Sequence, residues 1–529
     1  MSQHYILAID HGTSGIKSSI VSTMGVIVDT ESLDTPIEYL PGGGAEQDPE
    51  LWWQAVLSTG RMLVERGAVP RDAIKAVSVS STFSTTVVVD ASGEALMNAI
   101  TWMDSRGARY IQDKLKGFPS FEGYGIAKAL KWIKRTGGAP TLSGKDDIAH
   151  MLLVQNEYPE IYQRAHKFLP SKDFFNLKLS GEFAASYDSI TLFWVTNNQD
   201  INDIHYDDEL IDLLGIDRHK LPELRPATAL LGTLKPEVAI LLGLSESVQV
   251  AMGTPDHQAA GIGAGAVDDF VGHLYIGTSS WLQCTVPFKK TDVLHSIASL
   301  PTAIPGKYYC ANEQDLAGGC LSFLMDNLLF PQNSLNTMPP PNGSYELLDA
   351  IAAEIPAGSG KLIFTPWLNG ERTPVDDHTV RGGLYNLSKT SDQNHVIRAV
   401  MEGVAYNTRW SLKYVERFIK RPMPYINIVG GGALSDIWCQ IFADVLNREI
   451  RRVKDPRQAN ARGAAMVAAV ALGELRFDQV SALIEIEAVF KPQAENRKIY
   501  DMLYREFIQV YKNNKAMYKR LNAVESGAP

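Results

Sequence analysis

The chain carries one short pattern twice. YILAIDHGTSGIKSSIV stands near the start and VGHLYIGTSSWLQCTV recurs from Val271 to Val286; in each, an apolar strand runs into Gly-Thr-Ser and then a second strand. The two glycines, Gly12 and Gly277, are separated by half of the 529-residue chain. A hairpin of this kind cannot bury its apolar face alone, so each copy needs its own sheet and covering helices. The repeat therefore predicts two similar lobes facing across a cleft, divided near Gly265 to Phe270 into residues 1–266 and 267–529. No low-complexity linker marks that boundary, which predicts a hinge and not a tether.

Other local signals agree with a mixed α/β architecture. YILAID, KSSIVST and GVIVDTE read as a three-stranded meander, because each is short, apolar and bounded by glycine or polar residues. PELWWQAVLSTGRMLVERG reads as a helix, with Asp48 as cap ahead of Pro49. AVSVSS and TTVVVDASG read as further strands, TMPPPNGS (Thr337 to Ser344) as a surface loop, and NRKIYDMLYREFIQVYKNNKAMYKRL as an amphipathic terminal helix.

Composition narrows the partners. Hydrophobic residues make up 45% and charged residues 21%, the balance of a soluble globular protein. A net charge of −10 without a basic cluster argues against nucleic acid or an anionic membrane. The first residues reach an acid after a short apolar run and lack a basic leader. No uncharged apolar run is long enough for a membrane helix. Cys284, Cys310, Cys320 and Cys439 are scattered without metal-binding spacing, as expected of reduced thiols in the cytoplasm.

Three glycine-rich turns suit phosphate or nucleotide. In DHGTSGIK small residues let backbone N–H groups approach phosphate oxygens, the hydroxyls of Thr13 and Ser14 can donate, and Lys17 adds charge. Asp10 suits a Mg²⁺ ion held largely through water. GTSS, from Gly277 to Ser280, offers the same donors from the other half. VGGGALSDIWCQIFADVL is a strand, a glycine turn and a helix starting near Ser435, where an adenosine group can lie on bare backbone; the same glycines also suit close helix–strand packing. GIGAGA lacks the strand before it and the acid after it that a dinucleotide fingerprint requires, and SGK at Ser359 to Lys361 lacks the first glycine and the Ser/Thr of a P-loop. GTPDHQAA places Asp256 after Gly-Thr-Pro at a helix start, either as a cap or as a carboxylate fixed for removing a hydroxyl proton.

Taken in order, these segments resemble the FGGY carbohydrate kinases. AIDHGTSGIKS is similar to the family's first phosphate loop, AITWMDSR to its Trp-x-Asp-x-Arg stretch, GTPDHQAAGIGAG to its catalytic Asp segment and LYIGTSS to its second phosphate loop. FTPWLNGERTPVDDHTVRGGLYNLS, VGGGALSDIWCQIFADVLN and ARGAAMVAA complete the series. The resemblance implies two actin-like ATPase (ribonuclease H-like) domains flanking a catalytic cleft. It also implies transfer of phosphate from ATP, with Mg²⁺, to a hydroxyl of a small sugar such as xylulose or ribulose.

By the same resemblance Asp256 is the base, and Asp10 and Asp256 stand at the metal. Gly12, Thr13, Ser14, Lys17, Gly277 and Thr278 cradle phosphate; Gly431, Gly432, Ser435 and Gln440 line the adenosine site. Phe83, Ser84, Trp102, Asp104, Asp256 and His257 face the sugar. The nearest subgroup, xylulokinase-like, has Met-His where this chain has Phe83 and Ser84, and Asn where it has His257, so the sugar is not identified. A glycerol or polyol kinase, which would carry Arg-Glu at those two places, is the second enzyme reading. A non-catalytic sugar- or nucleotide-binding regulator on the same fold is the third, and a homodimer is compatible with all of them. Arg106 is read either as a structural partner of Asp104 or as a sugar ligand, Glu371 and Arg372 as a buried pair, and Trp52 and Trp53 as core.

Overall fold

A computed structural model describes residues 3–333 and 339–522. In the first lobe β1 (Tyr5–Gly12), β2 (Gly15–Ser22) and β3 (Ile27–Asp34) form the expected meander. Gly12 pairs with Gly15, so Thr13 and Ser14 make the whole turn. α1 (Pro49–Arg66) follows, and the Asp48 side chain accepts from the Glu50 N–H at 2.8 Å. β4 (Ile74–Ser81), β5 (Leu230–Thr233) and β6 (Gln249–Ala251) complete a sheet of order β5-β6-β4-β1-β2-β3. A smaller sheet that includes Thr86–Val89 stands beside it. α2 (Asp256–Gly263) ends this half.

The second lobe repeats the plan. β7 (Gly272–Ile276) and β8 (Ser280–Val286) form its hairpin, with Gly277 to Ser279 as the turn. β9 (Thr291–Asp292), β10 (Ile297–Pro301) and β11 (Tyr308–Ala311) extend one side of the sheet. α3 (Gln393–Ile419) crosses its face before β12 (Tyr425–Val429), α4 (Asp436–Leu446) and β13 (Glu449–Val453). After α5 (Ala459–Ala471), β14 (Ile486–Phe490) and α6 (Arg497–Asn522) close the fold. The order is β9-β10-β11-β8-β7-β12-β13-β14. Each central strand, β1 or β7, has an antiparallel hairpin partner on one side and a parallel crossover strand on the other, with another antiparallel strand at that edge. The repeat seen in the hairpins thus covers two whole sheets.

The lobes meet through two helices rich in small residues. An added Cβ at Gly263 would lie 1.9 Å from the Ala459 carbonyl oxygen, and one at Gly463 would lie 1.8 Å from that of Ala259. α2 and α5 therefore cross antiparallel, backbone against backbone, each using an Ala-x-x-x-Gly face. The alanines of α5 pack on Ile6, Ala8 and Val21 of the first lobe, while Ala260 and Ala264 of α2 pack on Val429 and Val453 of the second. A late segment of the chain thus covers the first sheet, so a cut at residue 266 does not separate the two bodies in space. Trp52 and Trp53 are core, and α6 seals the second lobe with Tyr500, Leu503 and Phe507. Within TMPPPNGS, Thr337 and Met338 lie outside the described residues; Pro339 to Gly343 are exposed. No described helix is long and apolar enough to cross a membrane.

Candidate functional site

Asp10 lies in the buried part of β1, where its carboxylate accepts from Ser80 Oγ at 2.9 Å and from Asn460 Nδ2 of α5 at 3.3 Å. Both lobes thus hold it. Asp256 is the first residue of α2, after Pro255, and its Oδ1 accepts the His257 N–H at 2.7 Å. The turn before it requires glycine: Gly253 has φ +71°, and a Cβ there would meet the Val79 carbonyl oxygen at 2.2 Å. A buried network ties the turn from behind. Lys172 pairs with Asp173 and donates to the Met252 carbonyl at 2.9 Å, Asn176 donates to the same carbonyl at 2.8 Å, and Thr254 Oγ1 donates to Asp188.

Burial holds the Asp256 carboxyl well above the usual carboxylate range, and the charges of Asp10 and Glu313 add to this. Two carboxylates close enough to repel are a site that a divalent cation would relieve. No cluster of three or more His, Cys, Asp or Glu with metal-holding geometry occurs among the described residues. Two carboxylates, with phosphate oxygens and water completing the shell, fit Mg²⁺ in that setting.

The turns at Thr13–Ser14 and Gly277–Ser279 come from opposite lobes. Trp102 Nε1 donates to Thr13 Oγ1 at 3.1 Å, joining the first turn to the Trp-x-Asp-x-Arg stretch. The carbonyls of Gly277 and Thr278 accept from Gly318 at 2.8 Å and from Ala317 at 2.8 Å, so a small-residue turn that sequence reasoning missed braces the second loop. Lys17 is not free over the first loop: its ammonium donates to the Arg457 carbonyl across the lobes at 3.2 Å. The ring of Tyr275 lies against Gly277 and stacks on Trp281 at 4.9 Å.

The third glycine turn divides between two duties. A Cβ at Gly432 would strike Ile276 at 2.3 Å and one at Gly430 the Ile276 carbonyl at 2.5 Å, which is packing. A Cβ at Gly431 has only Arg457, at 4.0 Å, and leaves backbone open. Beside it a cavity of about 440 Å³ is lined by Asp349, Ala353, Leu434, Asp436, Ile437, Arg452 and Glu487. Ser435 caps α4 by accepting from the Trp438 N–H at 3.1 Å and donates to Asp349 at 2.7 Å. Gln440 is not brought to this cavity: its amide is bound to Asp444 at 2.8 Å and to the carbonyl of Lys491, just after β14, at 2.9 Å.

The surroundings of His257, next to Asp256, are aromatic. The Phe83 ring lies 4.6 Å from that of His257, which also meets Tyr309 at 5.0 Å and Trp281 at 5.8 Å. Burial pulls the His257 pKa down to about 4, so the ring is neutral, and its Nε2 has no hydrogen-bond partner. Ser84, at φ +63°, donates to the Lys145 carbonyl at 2.6 Å.

Two further expectations are corrected. Asp104 is fully buried and its carboxylate is filled by the Ala45 N–H, the Arg106 N–H and the Arg106 guanidinium, so it supports the Trp102 turn and does not face a sugar; Arg106 is its structural partner and also pairs with Glu46. The side chains of Glu371 and Arg372 form no ion pair with each other, although the Arg372 N–H donates to Glu371 Oε1 at 2.9 Å. Glu371 is buried, accepts from Asn407 and from the Asp315 N–H, and is pushed by burial up to about 8. Arg372 turns the other way, pairs with Glu313 and approaches the Trp102 ring at 6.0 Å. Sequence reasoning also passed over Trp281, Tyr309, Lys145 and Glu313. Of these only Trp281, directly after GTSS, had a sequence signal.

Comparisons with known proteins agree with this geometry. The N-terminal domain of the FGGY family of carbohydrate kinases matches residues 5–263 and the C-terminal domain residues 273–472. A xylulose kinase of Staphylococcus epidermidis is 29% identical over 98% of this chain and 98% of its own. A gluconokinase of Bacillus subtilis is 27% identical over 99% and 98%. The crystal structure of a gluconate kinase from Lactobacillus acidophilus superposes with a TM-score of 0.84 at 24% identity, covering 98% of this chain and all of that one. Two duplicated lobes, two hydroxyl-rich phosphate turns and a buried carboxylate at their junction therefore have one family in common: this chain belongs to the FGGY family of carbohydrate kinases.

Proposed function

We propose that the protein transfers the γ-phosphoryl group of ATP to a terminal hydroxyl of a small open-chain sugar, with Asp256 as the base. Asp256 takes the hydroxyl proton as the acceptor oxygen attacks phosphorus, while Thr13, Ser14 and Thr278 donate to phosphate oxygens. Gly431 gives adenosine a bare backbone to lie on. Mg²⁺ held by Asp10 and Asp256 would neutralise phosphate charge. Closure of the lobes excludes the water that would otherwise hydrolyse ATP. A ketopentose such as xylulose or ribulose meets these needs, as does any linear polyhydroxy chain of five or six carbons.

The observation that supports this reading is Asp10, bonded from both lobes by Ser80 and Asn460 and near enough to the buried Asp256 carboxyl for its charge to push that group up. The buried free thiols of all four cysteines accord with a cytoplasmic setting. Asp256→Asn is expected to lower sugar-dependent ADP release about 1,000-fold, the scale of a lost general base, while ATP affinity stays within about threefold. Wild-type turnover in that variant would retire the assignment.

A further inference from the structure

The acceptor end of the cleft holds a cation, the Lys145 ammonium, that makes no hydrogen bond or ion pair among the described residues. The Lys145 carbonyl is fixed to Ser84 at 2.6 Å, beside the Phe83 ring that meets His257. Its ammonium makes no hydrogen bond and has no carboxylate within 4 Å among the described residues. The nearest acids are engaged elsewhere: Glu313 pairs with Arg372, and Asp315 lies 3.8 Å from Arg372 Nε. Burial lowers the Lys145 pKa, Arg372 lowers it further, and Asp315 and Glu313 act in the opposite sense without cancelling the shift. A half-buried ammonium beside a second cation is costly unless something anionic arrives to match it.

We propose that the acceptor is a sugar acid, and that Lys145, with Arg372 behind it, receives the acceptor's carboxylate on the Ser84 side of the pocket while the hydroxyl to be phosphorylated faces Asp256. The inference rests on the kinase reading above and names its substrate class: an aldonate of five or six carbons. A neutral ketose offers Lys145 only hydroxyl acceptors and leaves the charge unmatched.

The test uses the full-length protein with ATP and Mg²⁺, following ADP release on gluconate, xylonate and arabinonate against xylulose, ribulose and xylitol. An aldonate is expected to give the highest kcat/KM, at least about tenfold above every neutral sugar. Lys145→Met is expected to lower the aldonate-to-polyol ratio of kcat/KM about 100-fold, mainly through KM, and Lys145→Arg to restore most of it. A neutral sugar that outruns every aldonate overturns the inference and leaves the kinase reading standing. Equal losses on both classes in Lys145→Met also overturn it. Turnover of neither class overturns the kinase reading and this one together. If Lys145→Met fails to fold, the wild-type panel and Lys145→Arg decide.

Discussion

Gly463→Ala tests whether the α2–α5 crossing holds Asp256, the proposed base, in place. The new methyl would lie 1.8 Å from the Ala259 carbonyl oxygen, and ordinary contact begins near 3.4 Å, so the helices must separate by about 1.6 Å. Neither can yield alone: α5 is pressed on the first sheet through Ala461, Ala464, Ala465 and Ala468, and α2 on the second through Ala260 and Ala264. The methyl has no flexible side chain to displace, so overpacking of this kind costs about 1–3 kcal/mol. Asp256 starts α2, one turn before Ala259, and Asn460 of α5 bonds Asp10, so both carboxylates move with the helices. A misplacement near 1 Å at reacting groups costs about 100-fold in rate. The assay is steady-state ADP release with a thermal melt of the same sample. Gly473→Ala is the control: its φ of +75° makes alanine strained, but nothing stands within 4 Å, so a modest loss of melting temperature with kcat intact is expected. Unchanged kcat and melting temperature in Gly463→Ala would refute the idea that this crossing sets the site.

Two further predictions concern the glycine turn and a buried ring. Gly431→Ala is expected to fold like wild type yet weaken ATP binding at least about tenfold, whereas Gly432→Ala, which strikes Ile276, is expected to lose stability first; calorimetry and melting on both separate ligand approach from packing. His11 sits between Trp52 and Phe175 with neither nitrogen bonded, and burial pulls its pKa from 6.5 to about 3. The unfolded chain therefore binds a proton below pH 6.5 that the native state refuses, and acid removes stability through that window. His11→Leu, which cannot titrate, is expected to gain about 2 kcal/mol on wild type between pH 7.5 and pH 5. An equal stability difference at both pH values would refute it.

The parts legible in the sequence are those decided within a few residues. The hairpins at Gly12 and Gly277 follow from strand alternation interrupted by residues that suit tight turns. The cap at Asp48 and the helix start at Ser435 follow from side chains that satisfy their own helix N–H groups. Asp256 reads as standing on a rigid turn because Gly-Thr-Pro before a run of small residues admits little else, and the Ala-x-x-x-Gly face of that run makes the lobe contact. The resemblance across the chain then supplied the roles that no single turn could specify.

What the tertiary structure alone decided is partnership over long separations. Asp104 and Gln440 read as ligands from the sequence, whereas in the folded chain Ala45, Arg106, Asp444 and Lys491 occupy their polar atoms. Glu371 and Arg372, adjacent in the chain, face different neighbours, and Lys145 is informative only because Ser84 holds it beside the pocket while Arg372 takes the nearby acids. Sequence by itself determined the duplicated lobes, the turns and the carboxylates, since backbone sterics and apolar periodicity are local. Which polar group is satisfied and which still waits for a ligand depends on residues tens to hundreds of positions away, and that is settled only when the two lobes pack.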